Sequence, residues 1–168
     1  MTTVHTLASG SSGNAAVLSC GDTHLLIDAG ISCRRITAAL KELGLSPAEL
    51  WAILITHTHT DHIAGLNVLL KKTNCPILAT ARTCRELNSR LPETESRLQA
   101  VDGPISFGDM EITPVPTSHD APGSCGWRFD TDGGSVGFLT DTGYITDEAA
   151  DLLPGVDLAI LEANHDVE

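Results

Sequence analysis

Six consecutive residues, beginning at His57, hold the side chains of this chain that are best suited to bind metal ions or to do chemistry. They include three of its seven histidines and one carboxylate, in the order His57, His59, Asp61 and His62. The preceding run, 51–56, is short, apolar and rich in β-forming residues, which predicts a buried strand. Residues two apart in an extended chain share a face, so His57, His59 and Asp61 project together. A helix that begins near Asp61 brings His62 round, and the cluster predicts two adjacent metal sites.

Three further acid or imidazole groups follow predicted strands elsewhere in the chain. They are Asp28, His119 and Asp141. Each one alone has a simpler explanation, since Asp28 and Asp141 can cap turns beside their glycines and His119 can bond a loop. A metal ion held only by the 57–62 segment would leave its coordination unfilled. We therefore expect these three groups to join the cluster at one edge of a sheet.

The composition is that of a folded protein with a sizeable core. The chain has 168 residues, of which 42% are hydrophobic. No run approaches the ~18 apolar residues of a membrane span, and the first residues lack a basic, apolar export signal. The five cysteines are widely spaced and form no C-x-x-C pair, which indicates reduced thiols. We expect a cytoplasmic protein without a membrane partner, and a metal-ligand role for Cys125 stays open.

The charge of the chain is uneven. Its formal net charge is −12, which argues against a protein that coats nucleic acid through bulk electrostatics. The segment 71–97 nevertheless holds six of the ten basic residues against three acids, a local charge of +3. Two interpretations stay open for this segment: a solvated helix surface, or a local face that docks an anion.

Short apolar runs separated by glycine and proline predict sheets covered by helices, in one domain over residues 1–168. The predicted strands are 3–8, 14–19, 23–28, 51–56, 76–79, 111–116, 127–131, 135–139 and 156–161, the last of them buried. The predicted helices are 32–44, one from about 61 to 70, 81–90 and 147–153. The first three strands form a β-meander, and Asp132 to Gly134 make a hairpin turn.

The ordered set of Asp28, His-x-His-x-Asp-His at 57–62, His119 and Asp141 resembles the motifs of the metallo-β-lactamase-fold hydrolases. The segments 8–14 and 161–166 resemble the YycJ (WalJ) branch, whose members are linked to nuclease activity. The resemblance implies an α/β fold, a four-layer αβ/βα sandwich with metals at one edge of its two sheets. By length the chain resembles the N-terminal two thirds of the family pattern, and two interpretations stay open: a fragment whose second sheet lacks strands, or a chain whose second metal is weak and completed by water. The family's further histidine for the second metal lies beyond Glu168.

The resemblance also assigns roles to residues of this chain. His57, His59 and His119 would bind the first metal, Asp61 and His62 the second, and Asp141 would bridge the two ions. Asp28 would orient one of the metal ligands without binding a metal itself. The implied cofactors are two divalent ions, Zn²⁺ or Mn²⁺, with iron also compatible with the donor set.

The expected function is a metal-dependent hydrolase that cleaves phosphodiester bonds with a hydroxide shared by the metals, acting as an exonuclease on DNA. The candidate catalytic residues are Asp61 and His165, with His165 as the acid for the leaving group. The turn that holds Ser11, Ser12 and Asn14 offers candidate phosphate contacts. Two alternatives stay open: a glyoxalase II-like hydrolase of small thioesters or lactones, and a non-catalytic metal-binding domain.

Overall fold

The computed structural model describes residues 1–161 and contains two β-sheets with helices outside them. The strands are β1 (Thr2–Ala8), β2 (Ala15–Cys20), β3 (Thr23–Ile27), β4 (Leu50–Leu54), β5 (Ile77–Ala79), β6 (Leu98–Ala100), β7 (Ile105–Phe107), β8 (Met110–Pro116), β9 (Cys125–Thr131), β10 (Gly134–Leu139) and β11 (Leu158–Leu161). The helices are α1 (Cys33–Glu42), α2 (Thr60–Ile63), α3 (Leu66–Leu69), α4 (Ala81–Arg90) and α5 (Asp147–Leu152). Short 3₁₀ turns lie at Pro47–Glu49 and Pro92–Arg97. None of the helices described is long and apolar enough to cross a bilayer.

The first sheet has the order β1-β2-β3-β4-β5-β6. Its first three strands form the predicted antiparallel meander, and β3, β4, β5 and β6 pair in parallel. The second sheet has the order β11-β10-β9-β8-β7, with β10 and β11 parallel and the other pairs antiparallel. This mixed architecture confirms the α/β fold predicted from the sequence.

Alternating side chains on the central strands divide the apolar core between two layers. Val17, Leu26 and Ile53 face the cluster that contains the Ile36 and Leu40 side chains of α1. Their neighbours along the strands face the second sheet and form a second core cluster with it. The second sheet contributes the fully buried rings of Trp127 and Phe129 to this cluster. A third, smaller cluster packs α5 on the outer side of the second sheet. The order of layers is therefore helix, sheet, sheet, helix.

The predicted single helix from about 61 to 70 is wrong, because the structure divides it into α2 and α3. In a continuous helix the Gly65 amide would donate to the carbonyl of Asp61. Instead the Asp61 carbonyl accepts from the Asn14 amide at 2.7 Å, and the Gly65 amide donates to Ala29 at 2.8 Å. Two loops from other parts of the sheet thus take over the backbone groups that would have continued the helix.

The strand at 156–161 was predicted to be buried, and the structure corrects this. It spans only Leu158–Leu161 and lies at one edge of the second sheet as that sheet is described. Leu158 is 45% exposed and Leu161 is 55% exposed. The strands β6 and β7 were not predicted, since these three-residue segments each contain a polar residue and, unlike β5, form no apolar run.

The substitution Gly30→Ala should destabilise the fold and displace the segment that carries Asp61. A Cβ atom at position 30 would lie 1.5 Å from the Asp61 carbonyl oxygen and 2.7 Å from the Asn14 nitrogen, so backbone must move. Overpacking of this kind costs about 1–3 kcal/mol of unfolding free energy, which urea denaturation would measure. Gly103→Ala is the matched control, because nothing lies within 4 Å of its added Cβ. Equal stability of the two variants would contradict the close approach.

Candidate metal centre

The carboxyl ends of four strands meet at one edge of the two sheets. Ile27 at the end of β3 pairs with Leu54 at the end of parallel β4, so Asp28 and the segment after β4 emerge together. In the second sheet, β8 and β10 both run antiparallel to β9, so His119 and Asp141 leave the sheet at a common edge. The loops that follow β8 and β10 are joined where Ser118 Oγ accepts from the Tyr144 amide at 2.8 Å.

One group of three imidazoles can hold a metal ion. His57, His59 and His119 each offer a nitrogen, and these nitrogens lie within 4.8 Å of one another. Nδ1 of His59 is 3.0 Å from Nε2 of His119. The ring centroids of His57 and His119 are 4.5 Å apart, and those of His59 and His119 are 4.7 Å apart. This is the trio that the family resemblance implies for the first metal.

A second group combines His57, His62 and Asp141, with donor atoms again within 4.8 Å of one another. His62 Nε2 lies 2.8 Å from Asp141 Oδ2, and His57 Nε2 lies 4.0 Å from the same oxygen. Because His57 belongs to both groups, the two candidate ion positions adjoin one another. Asp141 Oδ2 therefore lies between the two histidines, as expected for a carboxylate that bridges two ions.

The buried Nε2 atom of His57 fits a bound cation. This nitrogen has no hydrogen-bond partner within residues 1–161, while Nδ1 of the same ring lies 3.0 Å from Thr56 Oγ1. An unsatisfied buried polar atom costs roughly 1–3 kcal/mol, a penalty that a metal–nitrogen bond removes. Imidazole and carboxylate donors together suit Zn²⁺, Mn²⁺ or Fe²⁺. The donor set present thus agrees with a divalent metal site.

Asp61 and Asn14 lie beside the second group without belonging to either one. Asp61 Oδ2 is 3.5 Å from His62 Nε2. The side-chain amide nitrogen of Asn14, Nδ2, donates to Asp61 Oδ2 at 3.2 Å and lies 3.1 Å from His62 Nε2. Asn14 is buried and also exchanges two hydrogen bonds with the backbone of Gly10, unlike the accessible phosphate contact expected from its turn. Ser11 and Ser12 in that turn are exposed.

Asp28 holds His62 from the side opposite Asp141. Its carboxylate accepts hydrogen bonds from the amide and the hydroxyl of Thr56, each at 2.8 Å. His62 Nδ1 lies 2.7 Å from Asp28 Oδ2, so Nε2 of the same ring is left to face the candidate ion position. This geometry matches the orienting role that the resemblance implied for Asp28.

The backbone is unusual at two site residues. Asp28 has φ 59° and Asp141 has φ 52°, and no other non-glycine residue within residues 1–161 has a positive φ. Aspartate is among the residues that tolerate this left-handed conformation. Both chain reversals turn the carboxylates of these aspartates toward His62, so the local strain coincides with the site.

The pKa values of two histidines in this cluster are shifted in opposite directions. Burial and the imidazoles of His62 and His119 lower the pKa of His57 to about 3, which keeps its ring neutral and able to ligate. Burial also opposes a charge on His62, but hydrogen bonds with Asp141 and Asp28 outweigh it and raise the pKa of His62 to about 10. The hydrogen bond with His62 in turn lowers the pKa of Asp141. Positive charge is therefore favoured between the two carboxylates.

Sequence reasoning missed Thr56 as a part of this centre. Its hydroxyl lies within 3.3 Å of donors or acceptors on Asp28, His57 and His62. A signal was available, since Thr56 stands between the strand and the first histidine. Cys125, by contrast, is packed in the core between the sheets and is in neither ligand group. His165 lies outside the described residues.

Removing His57 should empty the position that it forms with His59 and His119, because only its Nε2 atom is left for a metal. We expect the parent protein to bind two equivalents of Mn²⁺ or Zn²⁺, and His119→Ala and His57→Ala to retain one equivalent each. Metal analysis after gel filtration would measure these ratios. His5→Ala, which removes an exposed histidine of β1, is the control and should retain both equivalents. Two equivalents in His57→Ala would refute the assignment of His57 to this position.

Substitution Asp28→Asn should weaken metal binding although Asp28 touches no ion position directly. The variant keeps a residue that tolerates a positive φ but loses the charged acceptor for Thr56 and His62. Loss of such an orienting group lowers metal affinity about 10- to 100-fold, which calorimetric titration would measure. Asp22→Asn, in an exposed turn, is the control. An affinity equal to that of the control would exclude an orienting role.

Comparisons with known proteins agree with this geometry. A family model described as a beta-lactamase superfamily domain matches residues 23–167. Exodeoxyribonuclease WalJ of Streptococcus pneumoniae serotype 2 (strain D39 / NCTC 7466) is 39% identical over 167 residues, which cover 96% of this chain and 62% of the relative. Exodeoxyribonuclease YycJ of Bacillus anthracis is 34% identical over 165 residues, with the same two coverages.

The chain thus spans about 62% of the length of these curated relatives. Among solved structures, a diphosphatase from the PhnP family superposes with a TM-score of 0.75 at 23% sequence identity. The superposition covers 95% of this chain and 73% of that one, and at this identity it supports the fold alone. From the matching family model, the two sheets and the His and Asp cluster at their edge, we conclude that the chain belongs to the beta-lactamase superfamily, with the metallo-β-lactamase fold.

Proposed function

We propose that this chain is a metal-dependent hydrolase of phosphodiester bonds that acts as an exonuclease on DNA. The observation that carries the proposal is the pair of ligand groups that share His57 at the edge of the two sheets. Relatives named exodeoxyribonucleases, at 34–39% identity, support the choice of a DNA substrate. We also propose that residues 1–168 form one domain, which corresponds to the N-terminal two thirds of the family pattern.

The distances support a division of ligands between two ions. Since Nδ1 of His57 lies beside Thr56, only Nε2 is left for a metal, and we assign it to the ion that His59 and His119 also bind. The second ion would then take Nε2 of His62 and one oxygen of Asp61, which lie 3.5 Å apart. Asp141 would complete both sites as the bridging carboxylate.

When bound, two divalent ions would lower the pKa of a water molecule and neutralise charge on the phosphoryl oxygens. The protein's contribution is orientation. Asp28 fixes the ring of His62, and Asn14 donates to the carboxylate of Asp61, so both donors are held before a metal arrives. Burial of His57 keeps its imidazole unprotonated at neutral pH. We retain His165 as the candidate acid for the leaving group, on the sequence argument alone.

The net charge of −12 favours the alternative substrate, a small thioester or lactone, over a polyanion. The two substrate classes can be separated by assay. A third possibility, a metal-binding domain without activity, differs from both because no substrate would be turned over. For the compartment, we infer the cytoplasm, and the five free cysteines of the described residues support a reducing environment.

The deciding experiment compares single-stranded and duplex DNA with S-lactoylglutathione, each with Mn²⁺ and with Zn²⁺. We expect metal-dependent release of nucleotides from a DNA end and no thioester hydrolysis. His59→Ala and Asp61→Ala should reduce DNA cleavage by about a hundredfold or more, since each removes a proposed metal ligand. His5→Ala, with its exposed histidine, should cleave as the parent does. Thioester turnover without DNA cleavage would refute the proposal.

A further inference from the structure

Arg82 stands between the candidate metal centre and a second cavity. A cavity of about 440 Å³ is lined by His119, Asp120, Ser124 and other residues of the loop after β8, and by Arg82. A cavity of about 250 Å³ adjoins it, and the two share Arg82, Gly123 and Ser124 as lining residues. We call these two adjoining cavities the Arg82 groove. It begins at a candidate metal ligand and leads away along the first turn of α4.

Among the described residues, 1–161, Arg82 is the only lysine or arginine that lines the groove. Within the basic segment 71–97, other arginines are committed elsewhere: Arg90 donates to Glu86 and to the Thr58 carbonyl, and Arg97 donates to two backbone carbonyls. Arg82 is exposed and makes no hydrogen bond or ion pair with a residue of the part described, positions 1–161. Its guanidinium is therefore available to an anion.

Two acidic residues also line the groove, and within residues 1–161 neither forms an ion pair with Arg82. Asp120 lies at the metal end, where its Oδ1 atom is 3.5 Å from His119 Nε2 and 3.8 Å from His59 Nε2. Asp102 accepts a hydrogen bond from the Ala81 amide at 2.9 Å, so its carboxylate is partly used by the start of α4. A guanidinium forms paired hydrogen bonds with phosphate oxygens, which suits Arg82 to such a ligand.

The groove is held in shape by bonds between α4 and the loop that carries His119. The hydroxyls of Thr80 and Thr83 donate to the Gly123 carbonyl at 2.8 and 3.0 Å. An added Cβ at Gly123 would lie 2.6 Å from Arg82 Cβ, so loop and helix are in close contact here. These contacts fix the position of Arg82 relative to His119 before any substrate binds.

We propose that Arg82 binds the phosphate next to the one that is cleaved, so that the Arg82 groove accepts a strand of nucleic acid with at least two phosphates. This inference rests on the proposed phosphodiesterase function and extends it. It gives the local positive charge of segment 71–97 a specific role. It also explains how a chain with a net charge of −12 engages a polyanion: through one placed cation beside the metals.

The test uses two reporters that differ by one phosphate: thymidine 5′-(p-nitrophenyl phosphate) and the same compound with a 3′-phosphate. Arg82→Ala keeps the Cβ atom that contacts Gly123, so its packing is retained. Arg85→Ala is the matched control, because Arg85 is exposed on the same helix and lines neither cavity. We expect Arg82→Ala to raise the ratio of the two KM values, two-phosphate over one-phosphate, about tenfold. Arg82→Lys should restore part of this ratio, and Arg85→Ala should leave it at the parent value.

A binding measurement without turnover complements the kinetics. Fluorescence anisotropy of a labelled single-stranded oligonucleotide gives Kd as a function of salt for each metal-loaded variant. Loss of one phosphate contact should reduce the slope of log Kd against log salt by about 0.7 in Arg82→Ala. If the parent protein releases no nucleotide from DNA, the proposed function fails and this inference falls with it. If the parent cleaves both reporters but Arg82→Ala and Arg85→Ala have equal KM ratios, only the role of Arg82 is overturned.

Discussion

The carboxylate of Asp28 and the backbone of the two residues after it organise the centre of this protein. Asp28 accepts from Thr56 and His62, while the backbone of Ala29 and Gly30 bonds to His62 and to Asn14. These bonds tie the loop after β3 to the loop after β4 and to the turn after β1. All are buried, and a buried group that lost its partner would cost more than the bond contributes. The ligand geometry is thus set by main-chain packing.

The candidate metal centre also joins the two sheets. His57, His59 and His62 follow a strand of the first sheet, whereas His119 and Asp141 follow strands of the second. Below this edge, apolar side chains from both sheets, including the buried Trp127, fill the space between them. Hydrophobic contact therefore brings the two loop sets together, and the imidazoles and carboxylates that meet at the rim acquire pKa values that neither sheet would produce alone.

Local patterns in the sequence predicted most of the fold. The strands β1 to β4 and β8 to β10 overlap the predicted ranges, and α4 begins and ends at the predicted residues. Two predictions failed for non-local reasons. The helix after Asp61 is interrupted because Asn14 and Ala29 capture its backbone groups, and the last strand is exposed because of its place in the sheet order. Neither cause is visible within a short window of sequence.

The same distinction holds at the site. That His57, His59 and His119 lie together could be predicted because each residue type and its place after a strand were visible, whereas their assignment to one metal came from the family resemblance. The bonds of Thr56 to Asp28 and of Asn14 to Asp61 span 28 and 47 positions, so only the folded chain reveals them. Arg82 likewise differs from Arg85 only in what the folded loop places beside it.

The positions of Asp28 and Asp141 each require two properties of a residue: tolerance of a left-handed backbone and a negatively charged carboxylate. Glycine and asparagine suit the chain reversal but lack a negative carboxylate, whereas glutamate keeps the charge and lacks the short side chain that eases this conformation. Aspartate alone meets both demands. We therefore expect these two positions to tolerate few substitutions. Replacement of Asp by Glu, although it keeps the charge, would be among the poorest of them.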